Sequence, residues 1–362
     1  MAAVVGWTAQ YRLDQENNAL APVPETGAVN EDSNVCRPAV EMPRQSPWAT
    51  DPAASVKVWG EHQAELSGPV VEGEDGWAFY NDQVEQNFSQ AVGRRLLSAA
   101  EVTKWHDYLS AIADGLEKQG IELSIQITPS ASSVYPGKLP AWAQELRGPT
   151  ALDQLLLAAP ELPIVDFRAD LRRAAEDEAV YTPVNSHWTD WGGYIGWQTY
   201  ASCHDELYPQ NPPIIVPPVS GVENKGVFNE YASYGIADAE PEWTAPTFAE
   251  KLSDVSITDK DQNTQIMPGG KPVDLTLLPA STKNDHSASP QNALILRDSM
   301  GGALSTFWNQ QYAQTWQIQH RYDDWSTPPN YSVLVSQYKP DVVIIQLAER
   351  HLVNAPPVTS GF

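Results

Sequence analysis

Two short runs constrain the fold more than anything else in this chain: Asn292-Ala-Leu-Ile-Leu-Arg297 and Asp341-Val-Val-Ile-Ile-Gln-Leu347. Each has the length of a strand and is apolar almost throughout, as in strands covered on both faces. Strands of that kind belong to parallel sheets whose crossovers are helices. The remaining patterns agree. Within Leu97–Leu116 the residues Val102, Trp105, Tyr108, Leu109, Ile112 and Leu116 recur at helical spacing. Gly120 ends that helix, and Ile121–Thr128 reads as the strand that follows. Asp75-Gly76 predicts a turn leading into an aromatic strand. Further helices are expected over 151–159, 171–179 and 190–207, with a short strand over 163–167. The expectation is one α/β domain over residues 56–362, a mostly parallel sheet flanked by helices. Residues 1–55, rich in Pro, Asn, Glu and Ala, read as an extended arm with a short helical turn over 13–20. Residues 210–290 read as a long irregular excursion with room for a small β element.

Composition removes several function classes. Lys and Arg number 22 against 46 Asp and Glu, a net charge of −24. Nucleic-acid binding requires neutralising phosphates, so it is not expected, and an anionic membrane surface would repel the chain. The sequence holds 13 Trp and 14 Tyr, which suits either a surface that handles sugars or a core rich in aromatics. Cys36 and Cys203 carry no zinc-like spacing, and neither a metal nor an organic cofactor is expected. As a pair they are open to two readings, one disulfide in an exported protein or two buried thiols. The first residues show neither a signal peptide nor a membrane anchor.

Ser299 stands where a buried strand gives way to a Gly-containing turn and a helix. Ligands of open α/β sheets bind beyond the carboxyl ends of the strands. A helix N-terminus there favours a developing oxyanion, with the serine's own N–H as one donor. The competing reading is a plain helix cap. A serine nucleophile needs a base, and His187, in Val184-Asn-Ser-His-Trp-Thr-Asp-Trp-Gly-Gly193, has the most distinctive setting of the seven histidines.

Three strings together, Asn185-Ser-His-Trp188, Leu296-Arg-Asp-Ser-Met300 and Ala348-Glu-Arg-His-Leu352, resemble the alginate O-acetyltransferase family. Gln15–Leu20, Asp75–Phe79 and Val134–Pro136 add to the likeness, which runs in order along nearly the whole chain and is weakest over 210–290. The resemblance implies an SGNH-hydrolase-like, flavodoxin-like fold. It places Ser299 as nucleophile and His187 as base. The family's Asp-x-His-Trp motif has its acid at the position of Asn185, which can orient an imidazole through its carbonyl but brings no negative charge. Asp190 and Asp298 are the candidate substitutes. Arg321 and Arg350 are candidates to assist an oxyanion or brace the site, and Trp188 and Tyr322 to contact substrate.

What the resemblance implies about activity is ping-pong transfer of an acetyl group to hydroxyls of an exported polysaccharide through an acyl-serine. The partners would be a polysaccharide acceptor and an acetyl donor, with a membrane acyl-transfer protein as one route for the donor. Two alternatives are an acetyl esterase with the same site and a non-catalytic polysaccharide-binding scaffold. The expected location is extracytoplasmic, the chain being read as a processed or truncated exported protein.

Overall fold

Two strands buried on both sides form the middle of the sheet: β10 (Ser289–Arg297) and β12 (Val342–Ala348). Along β10, Ala293 and Ile295 join the core on one face while Leu294 and Leu296 join the core on the other. Val342 and Ile344 divide in the same way from Val343, Ile345 and Leu347 on β12. This is why neither run alternates with polar residues. The computed structural model describes residues 19–22, 34–38 and 46–362.

Around these two strands the parallel part of the sheet comprises β3 (Glu122–Thr128), β4 (Ile164–Asp166) and β11 (Tyr312–Gln319), in the order β4-β3-β12-β10-β11. Beyond β11 the sheet turns antiparallel and continues through β9 (Ala280–Lys283), β7 (Val255–Thr258) and β8 (Thr264–Met267). Two small hairpins lie outside it: β1 (Val70–Glu72) with β2 (Ala78–Tyr80), and β5 (Val219–Asn224) with β6 (Thr244–Phe248). Residues 210–290 therefore hold five short strands among turns and coil. Three of them add to the main sheet. Each is only four residues long and mixes Thr, Ser, Gln and Lys with few apolar residues, so the sequence carries little period there; β8 forms the edge.

Helices cover both faces. On one, α1 (Ala99–Glu117), α2 (Ala151–Ala158) and α5 (Tyr331–Tyr338) supply Trp105, Ile112, Leu152 and Val335 to the core. Ser98 caps α1 and exchanges hydrogen bonds with Glu101 in a capping box. The other face carries α3 (Asp190–Leu207) and α4 (Gly302–Gln311). Gly193 of α3 lies against α4 so closely that a β-carbon there would stand 2.5 Å from the Ala303 side chain. That close approach fixes the helix after His187 against the helix after Ser299.

The arm is seen in parts. Leu20 bridges Ser98, and the Ala21 amide donates to Leu97 at 3.0 Å. The helical turn expected over 13–20 lies outside the described residues except for its last two. Cys36 and Cys203 form a disulfide that ties the arm to α3. Among the described residues no helix is long and apolar enough to cross a membrane.

Candidate active site

Ser299 lies just past the C-terminal end of β10, in the turn that opens α4. Asp298 anchors this turn. Its carboxylate accepts from the amides of Met300 at 2.8 Å and Ala348 at 2.6 Å, joining the ends of β10 and β12. At Gly301 a β-carbon would stand 2.6 Å from the Gln346 side chain, so the turn can sit this low only with glycine. Arg297 is fully buried and donates to the carbonyls of Asp298 and Val273 and to the Gln317 side chain.

His187 comes from the loop ahead of α3. That loop is fixed at its far end by Thr189, whose hydroxyl caps the helix at Gly192 and whose amide bonds to Val180. The His187 Nε2 lies 2.9 Å from Ser299 Oγ. Its Nδ1 lies 3.0 Å from Asn185 Oδ1, which also accepts the His187 amide at 2.9 Å. Because the Asn185 amide nitrogen donates to the Phe228 carbonyl at 2.9 Å, the oxygen is the side that faces the ring. An oxygen there holds the proton on Nδ1 and leaves the Nε2 lone pair to receive the serine proton.

A carboxylate that the sequence did not single out completes this group. Glu230 Oε2 lies 3.5 Å from His187 Nδ1. It also accepts from the Ser186 amide at 2.8 Å and the Ser186 hydroxyl at 2.7 Å, while Tyr80 donates to Oε1 at 2.9 Å. Burial pushes the Glu230 carboxyl up, but the His187 ring beside it and the two Ser186 donors outweigh burial and bring it down to about 2. Burial and the nearby Glu230 push the Tyr80 phenol up in turn, keeping it a donor. Glu230 belongs to the weakly patterned 210–290 segment, and no local string marks it. Its one signal in the sequence was a deficit, the uncharged residue at position 185.

Residues 70–265 match the family model described as the SGNH hydrolase-like domain of acetyltransferase AlgX. The chain belongs to this family. The matched span includes Asn185, His187 and Glu230 and ends before Ser299. Among solved structures, Bacillus cereus PatB1 superimposes with a TM-score of 0.55 at 12% identity, covering 78% of this chain and 96% of that one. The same protein has also been solved with a sulfonyl adduct. A DHHW family protein from Eubacterium siraeum gives a TM-score of 0.50 at 15% identity, with 68% of this chain and 85% of that one covered. The O-acetyltransferase domain of Pseudomonas putida AlgJ gives 0.47 at 17% identity over 81% and 95% of the two chains. The likenesses to PatB1 and to the DHHW family protein show a shared fold, and the family match makes it SGNH-hydrolase-like. No curated protein matches the sequence.

The other residues singled out in this AlgX-family chain lie around the pair in other roles. Asp298 is turned to His351 at 3.3 Å and His320 at 3.7 Å, away from His187. Burial opposes its charge, yet those two rings hold its carboxyl well below the usual range. Asp190 opens α3 beside the Trp243 indole and Lys225; burial there pushes its carboxyl up. Neither acid substitutes for the missing charge at 185. Arg350 pairs with Glu85 at 3.3 Å, and Arg321 lies in the turn after β11 beside Asp324. Trp188 is buried and donates its indole N–H to the Met300 carbonyl at 2.7 Å, so it braces the serine turn and has no face left for a sugar. Tyr322 is likewise enclosed, stacked on His320 with its hydroxyl on Tyr331.

Proposed function

We propose that this protein is a serine-dependent O-acyltransferase that moves an acetyl group to hydroxyls of an exported polysaccharide through an acyl-serine intermediate. The observation that carries this reading is the 2.9 Å contact of His187 Nε2 with Ser299 Oγ, in a ring whose other nitrogen is committed to Asn185. His187 takes the proton of Ser299 as Oγ attacks the acetyl carbonyl. Collapse of the tetrahedral intermediate breaks the bond to the leaving group, which takes the proton from His187. A sugar hydroxyl then gives its proton to His187 and attacks the acetyl-serine, and the second tetrahedral intermediate expels Ser299 Oγ, which takes that proton back from His187 as the new ester is released. The Ser299 amide and the opening turn of α4 are the candidate oxyanion donors.

Membership of an acetyltransferase family supports the acetyl group as cargo. An aromatic rim supports a sugar acceptor: Phe228 and Tyr234 are exposed, Phe228 stands edge-on to Trp243, and its carbonyl is bonded to Asn185. The Cys36–Cys203 disulfide supports an oxidising, extracytoplasmic location.

The test is a burst of leaving group from an activated acetyl ester, with mass spectrometry of the protein. One acetyl per chain on Ser299, lost in Ser299→Ala, is the expected result. A sulfonyl fluoride should label the same residue. Absence of both burst and labelling would overturn the reading. Adding an oligosaccharide then separates transfer from hydrolysis by whether acetylated sugar or free acetate accumulates.

A further inference from the structure

The work usually done by one aspartate is divided here between two residues. A catalytic carboxylate fixes the imidazole tautomer and stabilises the imidazolium formed as the serine is deprotonated. Asn185 performs the first task through the bond from Nδ1, but an amide leaves the imidazolium without a counter-charge. Glu230 has the complementary properties. Its Oε2 stands 3.5 Å from the same Nδ1, close enough for charge to matter although the ring's hydrogen bond goes to Asn185.

The carboxylate is a built feature. Three donors hold it, the amide and hydroxyl of Ser186 on one oxygen and the phenol of Tyr80 on the other. The segment bearing it is docked on the His187 loop through the Glu230 amide to Val184 at 2.9 Å and through the Phe228 carbonyl to Asn185. Asn229 folds its side chain back to the Tyr231 amide, and Tyr231 is buried against Tyr80 and Val184. Glu230 and Asn185 therefore reach the ring on one rigid unit.

We propose that Glu230 is the positioning residue that supplies the negative charge of this site, stabilising the His187 imidazolium while Asn185 fixes the tautomer and the proton stays on His187. This rests on Ser299 and His187 acting as nucleophile and base. The groups facing the ring are Ser299, Asn185, Ser186 and Glu230; Tyr80 and Tyr231 stand behind Glu230, with Arg350 near both phenols.

The experiment uses the full chain with Glu230→Gln, with Asn185→Asp, and with both changes together. Two readouts are taken: the acylation rate constant from the acetyl-ester burst, and the NMR titration of the His187 ring. In Glu230→Gln the acylation rate should fall by ~10²–10⁴, with a much smaller change in KM, by analogy with loss of the triad acid's charge in serine proteases. The ring titration should move to lower pH, the direction set by loss of a negative charge beside the ring. Restoring a carboxylate through Asn185→Asp in the Glu230→Gln background should recover most of both effects, which a merely structural Glu230 would not allow. Tyr80→Phe, which keeps the carboxylate and removes one of its donors, should move both readouts less and in the same direction. The proposal is overturned if Glu230→Gln leaves the titration in place, or if the folded double variant recovers neither quantity. The titration needs no turnover. A silent wild type with a Glu230-dependent titration would therefore sink the acyltransferase reading and leave the charge coupling standing.

Discussion

At the side-chain oxygen of Asn185 the amide and the Nδ1 of His187 converge, and this short turn sets the direction of the base. Nothing in it requires a charge, which is why an asparagine holds the same geometry as an aspartate. Glu230 stays ionised down to about pH 2, so its charge is present across the range in which a rate profile is measured. The same residues lead outward to the aromatic rim. Phe228→Ala should raise the acceptor KM roughly two- to tenfold, the weight of one aromatic contact of ~0.5–1.5 kcal/mol. Steady-state kinetics with a varied oligosaccharide acceptor measures it, and an unaltered KM would remove Phe228 from the acceptor site. At this scale the sequence was legible where function and local pattern coincide. His187 lies at a loop-to-helix junction and Ser299 at a strand-to-helix junction, and each could be picked out from its neighbours. Glu230 could not, because its role comes from being brought back 44 residues after Ser186 by a docked loop. Trp188 and Tyr322 are buried where the sequence suggests ligand contact for a related reason: an aromatic beside a reactive residue looks the same in sequence whether it faces a ligand or the core.

Strand β10, its turn and α4 place the nucleophile, and the end of β12 holds that turn in position. His351, just beyond β12, bridges two carboxylates, Asp298 at 3.3 Å through Nε2 and Glu85 at 2.7 Å through Nδ1. Burial lowers the tendency of this ring to be charged, but the two carboxylates prevail and raise it to about 9, against the neighbouring Arg350. His320, stacked on Tyr322, is pushed the other way by burial. It accepts the Tyr322 amide on Nδ1 and faces the Gln346 carbonyl with Nε2, as suits a neutral ring. The sign of the pH effect follows. A histidine raised in the folded state stabilises it fully below its unfolded value, near 6.5, and loses that contribution as pH rises through about 9. Chemical denaturation should show stability falling between those limits by on the order of 3 kcal/mol, and His351→Gln should flatten the decline. A wild-type curve with no slope in that window would exclude a charged His351. The strands and helices of this framework are readable because burial on both faces writes an unbroken apolar run into a strand, and burial of one stripe writes a period into a helix. Strands of only four residues such as β7 and β9 alternate over too short a span to stand out from the surrounding turns, so their place in the sheet emerges only from the fold.

Across the whole molecule the arm and the domain are held together by the Cys36–Cys203 disulfide, which closes a separation of 167 residues. Composition left the state of these cysteines open, because pairing depends on where the arm runs. Around the bond, the Cys36 carbonyl accepts the Asp166 amide of β4, and Arg37 donates to the carbonyls of Leu156, Ala159 and Leu162. Burial lowers the Arg37 guanidinium, with Asp166 and Glu161 as partial compensation, so this is a contact that gains from being tethered. Cross-linking a long loop chiefly restricts the unfolded chain, so Cys36→Ser with Cys203→Ser should cost roughly 2–4 kcal/mol of unfolding free energy. The site should respond differently. Cys203 lies thirteen residues along α3 from Asp190, or about 20 Å at 1.5 Å per residue. The 2.9 Å contact between His187 and Ser299 is fixed instead by the start of α3 and by its packing on α4. The double variant should therefore unfold earlier in denaturant while keeping its acylation burst well below the transition. Reduction of the wild-type chain should reproduce that behaviour without introducing a serine into the core. A burst lost before the fold is lost would mean that the arm reaches the active site, and would move the disulfide from a stabilising role to a functional one.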